Sequence, residues 1–122
     1  MTPAEIRERW SDPERTDEER HRRLGRALWS EDDWPWQGVD EVGCIYNRLP
    51  DFSDPRAMME VVERMEAKGF GWTFTTTADG ARHARFTSWD EGRQSAGAYA
   101  PTLMESVALA ALIASQALSE AP

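Results

Sequence analysis

Cysteine is almost missing from this 122-residue chain. Cys44 stands alone, so no internal disulfide can form, and with only His21 and His83 beside it no group has zinc-site spacing. A free, structural thiol is the expectation. No apolar run approaches the roughly 20 residues a membrane span needs, and residues 1–10 lack the apolar core of a secretory leader. Both absences point to a cytoplasmic protein without a membrane partner. Base is scarce relative to acid: the formal net charge is −8 and the pI about 4.7. That field works against direct nucleic-acid binding and favours basic or neutral partners. Neither a Gly-x-Gly-x-x-Gly nor a Gly-x-x-x-x-Gly-Lys-Ser/Thr stretch occurs, so the glycine loops that cradle phosphates are missing. The glycine-punctuated calcium loop is absent as well, which leaves a divalent ion at Asp32, Asp33 and Asp40 as a minor alternative. No cofactor is implied.

The residues that are present offer first one well-punctuated helix at 54–68. Asp54 is its N-cap, Pro55 takes the first helical position, and Gly69 stands where a left-handed terminal residue belongs. Met58, Val61, Val62 and Met65 form an apolar face at helical period, with Glu60, Glu63, Arg64 and Lys68 off it. A chain of this length holds a single two-layer core, so this face must pack on the elements formed by residues 70–118.

Upstream, Thr2-Pro3-Ala4-Glu5 and Thr16-Asp17-Glu18-Glu19 both carry the Thr-x-x-Glu pattern of a helix start. The first helix should end near Pro13 and the second should run over 17–28. Leu24, Ala27 and Leu28 give the second a thin apolar face, fitting either a docked helix or a partner-binding arm. Charge is unevenly spread: residues 1–26 are neutral, 27–60 carry −6 and 61–122 carry −2. The acidic middle includes Trp29, Glu31, Asp32, Asp33, Trp34, Trp36, Asp40 and Glu41, a mixture of rigid aromatics and acids typical of interaction surfaces. Burial of the three rings beneath a small core is the competing reading. Val42 to Tyr46 allows one short strand, and the rest of 29–47 reads as loop.

Downstream, Phe70, Trp72 and Phe74 alternate with threonines as in a half-buried strand. Asp79-Gly80 is a tight-turn pair, and 81–89 returns as the partner strand, with Ala84 and Phe86 inward and His83 and Arg85 on an open face. Residues 96–100 can add a third strand. Thr102-Leu103-Met104-Glu105 opens a last helix over 102–118 that is apolar well beyond one face, so it is mostly buried, with surplus surface available to a homodimer. The fold class is therefore α+β: a small αββα sandwich, an antiparallel sheet of two to four strands packed by two main helices, with a helical extension at 1–48 before a domain at 49–122.

The segment Leu49-Pro50-Asp51-Phe52-Ser53-Asp54-Pro55 leading into Glu60-Val61-Val62-Glu63, with the alanine- and leucine-rich helix after Ala100-Pro101, resembles the phage ABA sandwich domain family over about 49–118. Met59 stands where that family commonly has tryptophan. The resemblance implies a helix, strands, helix sandwich and a phage or prophage origin, in a host cytoplasm. It assigns no activity to any residue. No nucleophile and base are placed together, and although helix, strands, helix is also the layout of double-stranded RNA-binding domains, the charge has the wrong sign for one. Two functions remain. One is a non-catalytic accessory protein whose segment Trp29–Glu41 engages a basic surface on a host protein, such as a defence or nucleic-acid enzyme. The other is a small-ligand or signalling-nucleotide binder built from Trp89, Arg82, Arg85, Arg93 and Tyr99.

Overall fold

Side-chain oxygens start the four α-helices of the described residues. A computed structural model describes residues 2–30, 32–49, 51, 54–88 and 94–118, and in it α1 (Pro3–Trp10), α2 (Asp17–Leu28), α3 (Pro55–Ala67) and α4 (Leu103–Ile113) follow the N-caps Thr2, Thr16, Asp54 and Thr102. The three threonines accept from the backbone N–H of Glu5, Glu19 and Glu105 at 3.2 Å, and Asp54 accepts from Arg56 at 2.9 Å. Each bond satisfies a donor that the helix itself leaves unpaired. α4 continues into a π-helical turn, Ala114–Leu118. Gly69 takes φ +93°, the left-handed conformation that ends α3.

A three-stranded antiparallel sheet, ordered β3-β4-β5, is formed by Phe70–Thr76, Arg82–Ser88 and Ser95–Ala100. In register, Trp72 faces Phe86, which faces Ala96, and Phe74 faces Ala84, which faces Ala98. All six lie on the side covered by α3 and α4, where Ala84 and Phe86 are fully buried. α4 packs on β4 and β5 through small residues on both sides, and α3 packs on β3 and α4. Trp72 departs from the core position its alternation predicts. It points to the helix side but remains 47% exposed, stacked on Phe74 at 4.6 Å, because β3 is an edge strand.

The third layer is the N-terminal segment. α4 is buried at every residue from Ser106 to Ala114, since the sheet covers one side and α1, α2 and α3 cover the rest. Ser106, the buried polar residue there, donates to the Leu103 carbonyl at 2.8 Å. Ile6, Leu24, Leu28 and Trp29 belong to the same apolar cluster as Val61, Met65, Phe86 and Leu112. α2 is thus a docked helix, and the apolar residues of α4 that offered a dimer surface are occupied within the chain. Arg7 of α1 donates to the Gly97 carbonyl at 2.9 Å, which covers part of the free edge of β5.

A second, two-stranded sheet lies in the stretch read mainly as loop: β1 (Gln37–Val39) pairs antiparallel with β2 (Ile45–Asn47).

Fully buried Ile6 gives the test of the third layer. Ile6→Ala is expected to lower global unfolding stability by about 2–5 kcal/mol in a denaturant titration, as for other large-to-small core changes. A change under about 0.5 kcal/mol would instead be the signature of a segment held off the core.

Candidate functional site

The three tryptophans of the acidic segment form a bracket. Trp29 is buried, and Trp34 and Trp36 are half-buried against the core. Trp36 meets Trp29 edge-on at 4.6 Å between centroids and Trp34 at 5.7 Å. Gly25 makes room for this cluster on α2, because a β-carbon there would collide with the Trp34 ring. Two hydrogen bonds then tie the bracket to the end of the second hairpin strand: the Arg48 N–H donates to the Trp36 carbonyl at 2.9 Å, and the Trp34 indole Nε1 donates to the Arg48 carbonyl at 2.8 Å. Trp29 is therefore buried in the core, while half-buried Trp34 and Trp36 anchor the segment and keep part of their rings at the surface.

Asp33, another candidate of that segment, is also engaged. Its carboxylate accepts from the Ser30 N–H and hydroxyl at 2.6 and 2.9 Å and from Arg64 Nη2 at 2.6 Å. The Ser30 hydrogen bonds first, and then Arg64, hold its carboxyl below the usual carboxylate range. Arg64 Nε donates to the Leu28 carbonyl at 2.8 Å, and the guanidinium lies 6.0 Å from the centre of the Trp29 ring. α3 thereby clamps the end of α2 and the start of the tryptophan segment. Asp32 is exposed, and Glu31 lies outside the described residues.

The bracket holds the β1–β2 hairpin out to solvent. Asp40 builds its turn, accepting from the Val42 and Cys44 N–H groups at 3.0 and 2.8 Å, with Gly43 at φ +90°. Gly38 and Tyr46 pair on one face, the ring lying over the glycine. On the other face Val39 and Ile45 stand directly opposite one another, 66% and 70% exposed, and Val42 at the turn is 83% exposed. Exposed Asp40 and Glu41 sit between them in sequence. These three aliphatics are absent from the candidates that composition picks out. The available signal is Gln37-Gly38-Val39 and Ile45-Tyr46-Asn47 flanking a turn with Gly43.

The ligand-binding candidates split between the faces of the larger sheet. Arg85 and Tyr99 share the uncovered face with His83, whereas Arg82 belongs to the opposite face and donates to its cross-strand neighbour Thr76 at 2.6 Å. Trp89 and Arg93 lie outside the described residues. On the uncovered face the His83 ring packs on Tyr99 at 4.3 Å and over Gly97, and Arg85 donates to the Ser95 hydroxyl at 3.0 Å. A cleft of about 410 Å³ runs from here around the β5 edge to Arg7. Partial burial, and then the Arg85 charge, hold the His83 imidazole below its ordinary value.

For chemistry the components stay apart. Cys44 is exposed in the hairpin, while His21 lies in a cleft beside α4 with its Nδ1 3.8 Å from an Asp51 carboxylate oxygen. Among the described residues no three of His, Cys, Asp and Glu are placed to hold a metal ion, and no helix is long and apolar enough to cross a membrane.

The His83 shift sets a pH dependence. The unfolded imidazole takes up its proton near its ordinary value of 6.5, and the folded one only at lower pH, so the unfolded state binds more protons in that interval. The contribution of neutral His83 is fully present above about pH 6.5 and is lost as pH falls through the interval below. Denaturant titrations at about pH 7.5 and 5.5 should therefore show a smaller loss of stability in His83→Gln than in the parent chain. Equal losses would exclude His83 as a source of acid sensitivity. Comparison of the chain with protein-family models, curated proteins and solved structures finds no significant match.

Proposed function

We propose that this is a non-catalytic binding protein whose β1–β2 hairpin is the contact element for a partner protein. The observation that carries the reading is the exposed aliphatic strip Val39, Val42 and Ile45 on a hairpin that packs no core with that face. A two-stranded hairpin gains little stability in water by itself, and β-branched residues on its open face add nothing to the chain's own core. The tryptophan bracket fixes the base of the hairpin, so little conformational freedom is lost at the base on binding. Asp40 and Glu41 beside the strip, in a segment carrying −6, favour an apolar cleft with a basic rim.

The resemblance to the phage ABA sandwich family supports placing this activity in a phage or prophage accessory protein that acts on a host macromolecule in the host cytoplasm. The partner is a protein with a basic surface; the overall acidity argues against a nucleic acid taking that role.

A partner captured from a bacterial host lysate, identified and purified, permits a direct titration. Val42→Asp combined with Ile45→Asp should weaken binding by about tenfold or more, with the unfolding transition retained. Trp72→Ala, at the exposed edge of the larger sheet, should leave affinity unchanged. Undiminished binding by the hairpin variant would overturn the proposal, and loss confined to Trp72→Ala would move the interface to the β3 edge.

A further inference from the structure

Residues 1–26 carry no net charge, yet their arginines are not distributed evenly in space. On α2, Glu19, Arg22, Arg23 and Arg26 occupy one face at helical spacing, opposite the buried Leu24 and Leu28. Arg9, at the end of α1, and Arg15, in the α1–α2 connection, converge on that face. Together these five arginines and Glu19 line a cleft of about 490 Å³. Such a gathering of like charge opposes folding unless something compensates it. Two of the five have partners among the described residues. Arg22 pairs with Glu18 at 2.8 Å and Arg23 donates to the Gln116 side chain at 2.9 Å. Among the described residues no carboxylate lies within ion-pair distance of Arg9, Arg15 or Arg26. The Nε of Arg15 is buried without a hydrogen-bond partner among the described residues. Burial, and then Arg9 and Arg15, lower the proton affinity of the Arg23 guanidinium, the direction expected where cations crowd together.

We infer that this cleft binds a compact phosphate-bearing anion, of the size of a di- or triphosphate group. Guanidinium forks match phosphate oxygens in bidentate geometry, and several converging forks are a phosphate-recognition arrangement that lysine does not reproduce. Lys68, the only lysine of the sequence, is not among the residues lining the cleft. Arg15, whose charge has no carboxylate within ion-pair distance among the described residues, is one of the side chains lining the cleft. Compactness is a consequence of charge. The chain as a whole carries −8, which repels an extended polyanion, whereas at physiological salt the field is screened over about 8 Å and the arginines dominate inside the cleft. The site is independent of the hairpin and of the proposal made for it.

Calorimetric titration of the full chain with inorganic tripolyphosphate and with adenosine triphosphate tests the inference. One equivalent should bind, more weakly as salt rises. Arg15→Gln and, separately, Arg26→Gln should each weaken binding by about tenfold or more. Arg56→Gln, which changes an exposed charge on α3, should not. Tripolyphosphate binding equal to that of the nucleotide assigns the recognition to the phosphates, as inferred. No binding of either probe, or binding indifferent to both cleft variants, overturns the inference. Affinity that appears only with oligonucleotides and grows with their length also overturns it, in favour of a nucleic-acid track. Thermal unfolding without ligand gives a separate readout: both variants should melt at or above the parent temperature, because repulsion is relieved. A large fall would identify these arginines as structural and defeat the inference.

Discussion

A helix that is apolar on every side has to be enclosed on every side, and the architecture of this protein is arranged around that requirement. α4 carries Val107, Ala108, Leu109, Ala110, Ala111, Leu112 and Ile113 without a polar interruption, and all are buried. A three-stranded sheet and one companion helix cover only part of such a surface. The remainder falls to α1 and α2, whose apolar faces are thin because they only need to complete an enclosure that β4, β5 and α3 have mostly made. The N-terminal segment is consequently part of the core, although its composition gives it the look of an appendage.

Once α2 is fixed against α4, the position of everything up to the hairpin is set by a short chain of contacts. Gly25 admits Trp34, the three tryptophan rings pack edge to face, and Arg64 reaches from α3 to the Leu28 carbonyl and the Asp33 carboxylate. An exposed ion pair alone contributes little. Arg64 does more than pair, since the same guanidinium caps the end of α2 and covers Trp29. The result is a stiff base and a projecting tip. A base held in this way presents the tip in one orientation, which supports the proposed reading of the hairpin as a contact element.

Much of the fold was legible because local chemistry and global packing agree. Thr2, Thr16, Asp54 and Thr102 mark helix starts by a hydrogen bond that spans three residues or fewer, and Asp79-Gly80 joins strands that pair in register. Less legible were features decided at longer range. Trp72 alternates as a core residue, and its exposure depends on how far α3 extends over the edge strand. Trp29, Trp34 and Trp36 have the composition of an interface, but which side of the ring meets water depends on packing against Gly25 of α2 and on Arg64 of α3, the latter far away in sequence. Gln37–Val39 is three residues long, with Val39 its one large apolar side chain, so no periodicity could reveal it as a strand. In and just beyond the stretch whose composition suggests a contact surface, the most exposed aliphatic residues are Val39, Val42 and Ile45.

Net charge illustrates the same difficulty from another direction. A value of −8 is an average over surfaces that the fold keeps separate. Acids dominate the sequence around the hairpin, where exposed Asp40 and Glu41 lie between Val39 and Val42, whereas helical periodicity gathers Arg22, Arg23 and Arg26 of the neutral first 26 residues on one face of α2, with Glu19 the acid among them. Screening limits the reach of each surface to about 8 Å at physiological salt, so a ligand at one responds to the local sign and only weakly to the total. The sum governs encounter with large polyanions, but recognition at close range is governed by which face of a helix a residue occupies. For α2 that is decided by Leu24 and Leu28: by turning inward against α4 they turn Arg22, Arg23 and Arg26 outward together, and the enclosure of the core thereby creates the basic cleft.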